Sequence, residues 1–232
     1  MFFLDPRYLL FMMPAILLMM LAQMYVSSAY RKWSQVQSRS RLSGAQAAQR
    51  LIQSGGLYDV HVEGIAGNLT DHYDPRSKEL RLSQGVYQSS SVAALAIAAH
   101  ELGHAMQDQD GYFPLRLRAA LVPAVNIGSY LGWILIIIGL LLGATQLAYV
   151  GLLVFSLGLV FALATLPVEL NASARAKRLL TDTGLIVGED EARGVNSVLN
   201  AAALTYVAAL ITAALQLLYY ATMVLGMGRR RR

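Results

Sequence analysis

The chain has 232 residues and no cysteine; 56% of it is hydrophobic and only 14% is charged. That charge content lies well below the roughly 25% of soluble domains, so several segments must have lipid as their solvent. The absence of cysteine excludes disulfides and thiolate metal sites, leaving histidine and carboxylate as the only strong metal ligands. The net charge of +5 does not point to nucleic acid, because four of the 19 basic residues form the terminal run Arg229, Arg230, Arg231 and Arg232. Most of the others flank apolar segments, where basic residues set membrane orientation.

Residues 8–26 are almost wholly apolar, long enough to span a bilayer. A cleaved signal peptide is the competing reading, with Ser27, Ser28 and Ala29 as its cleavage site. The basic cluster Arg31, Lys32, Arg39 and Arg41 follows the apolar stretch rather than preceding it. That favours an uncleaved anchor, residues 1–29, with its C-terminal side in the cytoplasm.

Residues 30–118 are polar and mixed. Ser43 caps an expected helix over residues 44–53, which Gly55 and Gly56 end. Strand-like runs follow at 59–63, 69–73 and 79–83, and the turn Asp74-Pro75-Arg76-Ser77 joins the last two as a hairpin. Ser89, Ser90 and Ser91 offer N-caps for an alanine-rich helix over 92–107.

The apolar stretch 119–166 breaks near Gly143-Ala144-Thr145-Gln146 and reads as a transmembrane hairpin ended by Pro167. Within 167–200, residues 172–181 read as a polar helix and 184–196 as a loop carrying the acidic patch Glu189-Asp190-Glu191. A last apolar segment, 201–225, precedes the basic tail in 201–232. With the N-terminus outside, 14 of the 19 basic residues fall on the cytoplasmic side. If the last segment crosses, the terminal arginines lie outside, against the positive-inside rule; the alternatives are a re-entrant or interfacial segment.

Residues 100–104 read His-Glu-Leu-Gly-His. On a helix, His100 and His104 lie on one face a turn apart, where two imidazoles can share one Zn2+. Glu101 lies beside them, suited to take a proton from an attacking water. The competing reading is a chance pair of core histidines. A catalytic zinc needs a third protein ligand and an open position. His61 and His72 are the only other histidines, and His61 sits in an alternating, exposed-looking run. Glu169 is the best carboxylate: an isolated acid at a membrane boundary is costly unless paired or metal-bound. Its alternative is an interfacial pairing with Arg175 or Lys177.

The segments 68–83 (NLTDHYDPRSKELRLS), 98–107 (AAHELGHAMQ) and 167–176 (PVELNASARA) together resemble the YugP-type membrane zinc peptidases, and more distantly HtpX-like and CAAX prenyl proteases. The resemblance implies a mainly α membrane protein with transmembrane helices and a small zincin-like α+β cytoplasmic domain. It implies a gluzincin-type site: His100, His104 and Glu169 as zinc ligands and Glu101 as base. It also implies hydrolysis of peptide bonds in membrane or misfolded proteins, at the cytoplasmic side of the inner membrane. The gluzincin aspartate four residues after the third ligand is Ser173 here, and an aspartate frequent in YugP-type chains is Asn171. Either can still accept a histidine N–H.

His72, Tyr73 and Arg175 are candidates for a second oxyanion donor, against plainer roles as a turn residue, a packed aromatic and a headgroup contact. The run 79–83 is expected as an edge strand that binds peptide by β-addition. Tyr219 and Tyr220 read as an interfacial or packing pair, and the Met-rich first span as lipid-facing packing. The expected partners are a peptide or protein substrate, the bilayer, and a membrane protein or second copy of the chain. The rivals are a non-catalytic zinc-binding scaffold and a transporter. The only charge in the apolar segments sits at an edge rather than at midplane, which disfavours the transporter.

Overall fold

The computed structural model describes residues 6–230, with side chains as far as Gly226. The N-terminal residues up to Asp5, the side chains of Arg229 and Arg230, and Arg231 and Arg232 lie outside the described residues, and with them the basic tail. Eleven elements follow in chain order: α1 (Pro6–Ser34), α2 (Gly44–Gly55), β1 (His61–Ile65), β2 (His72–Asp74), β3 (Glu79–Ser83), α3 (Gln84–Tyr87), α4 (Val92–Gln109), α5 (Phe113–Leu141), α6 (Thr145–Phe155), α7 (Leu157–Asp182) and α8 (Gly188–Arg230). The protein is a mainly helical membrane protein with a small α+β region. Among the described residues, four helical stretches are long and apolar enough to cross a bilayer: Pro6–Ser34, Phe113–Leu141, Thr145–Asp182 and Gly188–Gly226.

The chain divides into two compact units. The first holds residues 1–22, 116–166 and 205–232. Its interior is small. Ile136, Ala148, Tyr219, Tyr220 and Val224 are buried, and Tyr8 and Phe155 pack edge-on against Tyr219 and Tyr220 at 5.2 and 5.1 Å. The tyrosine pair is therefore a packing pair. Gly132 and Gly139 let α5 meet α6 backbone to backbone: a Cβ on Gly132 would stand 2.6 Å from the Phe155 amide nitrogen. Gly143, at φ 64°, makes the turn between the two helices. Met13, Met19, Met20 and Met24 of α1 are exposed, as lipid-facing residues are.

The second unit holds Gln23–Leu115 and Pro167–Leu204. Its core gathers Ala47, Leu51, Leu80, Leu82, Val86, Leu95, Leu102, Ala176, Leu180 and Leu199 around α4. A capping box opens α2: Ser43 Oγ accepts the Gln46 N–H at 3.3 Å and Gln46 Oε1 accepts the Ser43 N–H at 2.9 Å. Gly56, at φ 67°, closes it. Ser91 Oγ accepts the Ala94 N–H at 3.2 Å and starts α4, which is buried almost all round. Its alanines let neighbouring elements approach closely.

The structure corrects four expectations. First, β3 is the middle strand of a three-stranded sheet in the order β1-β3-β2, parallel to β1 and antiparallel to β2. It is not an edge that could accept a peptide, and Leu82 on it is fully buried; β2 is the edge nearer the candidate site. Second, the strands expected at 59–63 and 69–73 begin at His61 and His72. The chain turns beforehand, with Leu57 accepting the Val60 N–H and Leu69 in the left-handed region at φ 54°. Third, Pro167 does not end a helix. α7 runs through it without a break, as apolar helices do when neighbouring groups take up the freed carbonyl. Fourth, the acidic patch is not loop: Glu189, Asp190 and Glu191 form the first turn of α8. There their charge complements the N-terminal end of the helix dipole. The buried Glu191 carboxylate also accepts the backbone N–H groups of Arg39 at 2.6 Å and Val187 at 2.8 Å.

Candidate metal centre

α4 carries His100 and His104 on successive turns, their rings edge to face with centroids 4.9 Å apart. α7 passes α4 at Gly103. A Cβ there would overlap the Ala172 carbonyl and stand 3.0 Å from Ala172 C and Cα, so only glycine permits the approach. That contact brings Glu169, one turn before Ala172, to the histidines. Its Oε2 lies 3.2 Å from His100 Nε2 and 3.5 Å from His104 Nε2. Among the described residues these three are the group able to share a metal, with ligand atoms within 4.8 Å of one another. Glu169 is 2% exposed, a burial that a carboxylate tolerates only when paired or ligated.

The donor set suits zinc. Tetrahedral zinc with ligands at about 2.0–2.1 Å separates neighbouring donors by about 3.3 Å, close to the two Glu169–histidine distances. Two imidazoles and one carboxylate also leave the open fourth position of a catalytic site. Both Nδ1 atoms are held from behind: His100 Nδ1 by Ser173 Oγ at 3.2 Å, His104 Nδ1 by Gln107 Oε1 at 3.0 Å. Each ring therefore presents Nε2 to the shared point.

Glu101 sits beside the trio, and one of its carboxylate oxygens accepts the Tyr73 N–H at 3.2 Å. Burial pushes its pKa above the usual carboxylate range, against the pull of His100 and His104, as suits a group that both takes up and returns a proton. Burial lowers the His104 pKa, but the hydrogen bond to Glu169 and the charge of Glu101 outweigh it, and the net shift is upward.

The other candidates divide. Ser173 contacts His100 directly. Asn171 acts one step away: its Oδ1 accepts from Gln107 Nε2 at 3.0 Å and from Arg175 Nε at 2.8 Å. Arg175 also pairs with Asp110 and stacks its guanidinium 5.9 Å from the Tyr112 ring. The Tyr73 hydroxyl donates to Asp108 at 3.0 Å, a carboxylate that Lys78 Nζ approaches to 2.6 Å. What Tyr73 offers the centre is its backbone N–H. His72 is exposed, with Nδ1 2.8 Å from the Thr70 carbonyl oxygen. Because that oxygen only accepts, the neutral ring has its proton on Nδ1, and His72 can donate from Nε2 only as an imidazolium. His61 is exposed and lies outside the group.

Gln107 was missed in the sequence. It is fully buried, one turn after His104, and the only cue is a lone amide on the apolar, alanine-rich helix.

A family model described as "Putative neutral zinc metallopeptidase" matches residues 8–225. The "Putative membrane protease YugP" of Bacillus subtilis (strain 168) is 45% identical over 205 residues, 88% of this chain and 91% of that protein. No solved structure matches the chain. On a match that runs almost from end to end, and with a donor set that suits the metal, the chain belongs to the neutral zinc metallopeptidase family.

Proposed function

We propose that the protein is a membrane-embedded zinc endopeptidase in which His100, His104 and Glu169 hold the metal and Glu101 is the general base. The observation that carries this reading is the meeting of two Nε2 atoms and one buried carboxylate oxygen at 3.2 and 3.5 Å, with a second carboxylate next to them. Zinc, when bound, supplies Lewis acidity and makes water acidic enough to attack near neutral pH. Glu101 takes the proton of the attacking water on a carboxylate oxygen and returns it to the leaving amine. The Tyr73 N–H holds the carboxylate in place, and the buried surroundings favour its protonated form at the step where it carries the proton.

The catalytic body comprises residues 30–118 and 167–200. The anchor 1–29, the hairpin 119–166 and the segment 201–232 hold it at the bilayer. The gathering of basic residues in 30–118 and 167–200 supports a cytoplasmic site on the inner membrane. A metallopeptidase carrying four apolar helices fits turnover of membrane or misfolded proteins.

The test is Glu101→Gln in the full-length, detergent-solubilised protein. The variant keeps its zinc and loses hydrolysis of an unfolded or membrane-protein substrate by about 10²–10⁴-fold. A variant that cleaves at the parent rate overturns the assignment of the base. A parent that holds zinc but cleaves nothing overturns the enzyme reading in favour of a zinc-binding scaffold.

A further inference from the structure

We propose that Arg175, Asn171 and Gln107 form a positioning relay that holds a proton on His104 Nδ1 and so makes Nε2 the nitrogen turned to the metal. The inference rests on His104 being a ligand, and it assigns a role to three residues that the mechanism does not otherwise use.

The argument follows hydrogen-bond polarity and starts from groups that can act in one way only. Arg175 Nε carries a hydrogen and has no lone pair to offer. The Asn171 atom it meets at 2.8 Å must therefore be the oxygen. That same atom lies 3.0 Å from the Gln107 amide, so the facing Gln107 atom must be the nitrogen. The other end agrees independently. The Val168 backbone carbonyl can only accept, and it meets the same Gln107 nitrogen at 2.8 Å. Both Gln107 amide hydrogens are then committed, and its remaining oxygen faces His104 Nδ1 at 3.0 Å. An amide oxygen has no proton to give, so the hydrogen between them belongs to His104. Nε2 faces the Glu169 carboxylate, and it is the nitrogen whose proton the metal replaces.

Two features show that the relay is built. Gln107 is wholly buried, so no water can stand in for a lost partner. The network also closes on itself between two helices: Gln107 lies on α4 and Asp110 caps its C-terminal end, Asn171 and Arg175 lie on α7, and Asp110 holds the far end of Arg175. His100 has no such lock. Its Nδ1 partner is the Ser173 hydroxyl, which donates or accepts as required. The two ligand histidines are thus controlled differently, one fixed and one adaptable.

The relay requires an acceptor at position 171 and polarity at position 107. Asn171→Asp keeps the acceptor for both Gln107 and Arg175, whereas Asn171→Leu leaves the Gln107 amide held by the Val168 carbonyl alone. Gln107→Met keeps the length and removes the polarity. Zinc affinity is read in the full-length protein by competition with a chromophoric chelator. Wild type and Asn171→Asp are expected to agree within a few-fold, with Asn171→Leu and Gln107→Met weaker by about 10–100-fold. The second readout needs neither zinc nor activity: ¹⁵N spectra of the imidazoles in zinc-free wild type show His104 Nδ1 protonated, whatever the state of Nε2. An unprotonated Nδ1 there, wild-type affinity in Gln107→Met, or equal losses in Asn171→Asp and Asn171→Leu would overturn the relay. If Gln107→Met does not fold, the wild-type spectrum and the Asn171 pair still decide. A wild type with no zinc affinity and an Nδ1–H His104 overturns the metal reading while supporting the relay.

Discussion

Gly103→Ala separates the geometry of the candidate centre from the stability of its scaffold. At Gly103 the new methyl would overlap the Ala172 carbonyl and stand 3.0 Å from Ala172 C and Cα, whereas ordinary contact begins at 3.4 Å. The obstacle is backbone, so no rotamer change relieves it, and α7 must retreat by about half an ångström to an ångström. Two energies oppose each other in the fold. Alanine gains about 1 kcal/mol over glycine in a helix interior, and overpacking costs about 1–3 kcal/mol; the net loss of stability is about 0–2 kcal/mol. The metal site has no such compensation. Glu169 rides on α7, and ligand distances tolerate only about 0.2 Å, so the third ligand is lost or strained. We expect zinc affinity to fall at least about tenfold while the melting temperature of the zinc-free protein moves by only a few degrees. Chelator competition measures the first, and circular dichroism melting the second. Gly55→Ala is the control, since a Cβ there meets only side-chain atoms at 3.7 Å. A Gly103→Ala protein that holds zinc as tightly as the parent refutes the close-approach argument.

Three further outcomes follow from the same contacts. Ser173→Ala strips His100 Nδ1 of its partner and should weaken zinc binding by about tenfold, with Ser173→Asp restoring or exceeding the parent value; indistinguishable affinities in titration would remove Ser173 from the centre. Metal and proton compete for His104 Nε2, and the zinc-free His104 pKa is raised by Glu169 and Glu101. Apparent affinity should therefore begin to fall above the ordinary histidine value of about 6.5 and continue falling on acidification, by up to about tenfold per pH unit; a flat profile between pH 8 and 6 contradicts this. Glu191→Ala takes away the buried acceptor of the part-buried Arg39 and Val187 amides. The cost is about 2–4 kcal/mol, seen as a drop in melting temperature of about 5–15 °C, and an unchanged melt shows that the α8 start is held by other means.

What could be read in the sequence was whatever depends on local chemistry. The i, i+4 spacing of His100 and His104 fixes their shared face on any helix, and Ser91 marks where that helix begins. Gly143 marks the hairpin turn, and the limits of β3 coincide with the run 79–83. The misreadings arise where tertiary surroundings override a local signal. Pro167 is a helix stop in water, yet α7 continues through it. Glu189, Asp190 and Glu191 look like loop by composition, but a helix N-terminus welcomes acids, and the distant Arg39 completes the arrangement. β3 becomes a central strand because β1 pairs with it in parallel, a long-range choice that no turn residue announces. Gln107 was invisible for the same reason, since each of its partners beyond His104 lies on α7.

That dependence explains how a site divided between α4 and α7 can be ready before metal arrives. In small zinc modules the ion itself supplies the folding energy. Here the two helices are already joined without it. Gly103 seats against Ala172, Gln107 bonds to Val168 and Asn171, and Asp110 pairs with Arg175. Around these contacts Leu95, Leu102, Ala176 and Leu180 close a continuous apolar core. What α4 and α7 leave for the metal is a buried carboxylate held against two imidazoles, taken out of water with the folding of the core. Binding there removes an electrostatic cost that the fold has already met. It does not have to create the fold, so the arrangement of His100, His104 and Glu169 is set by helix packing.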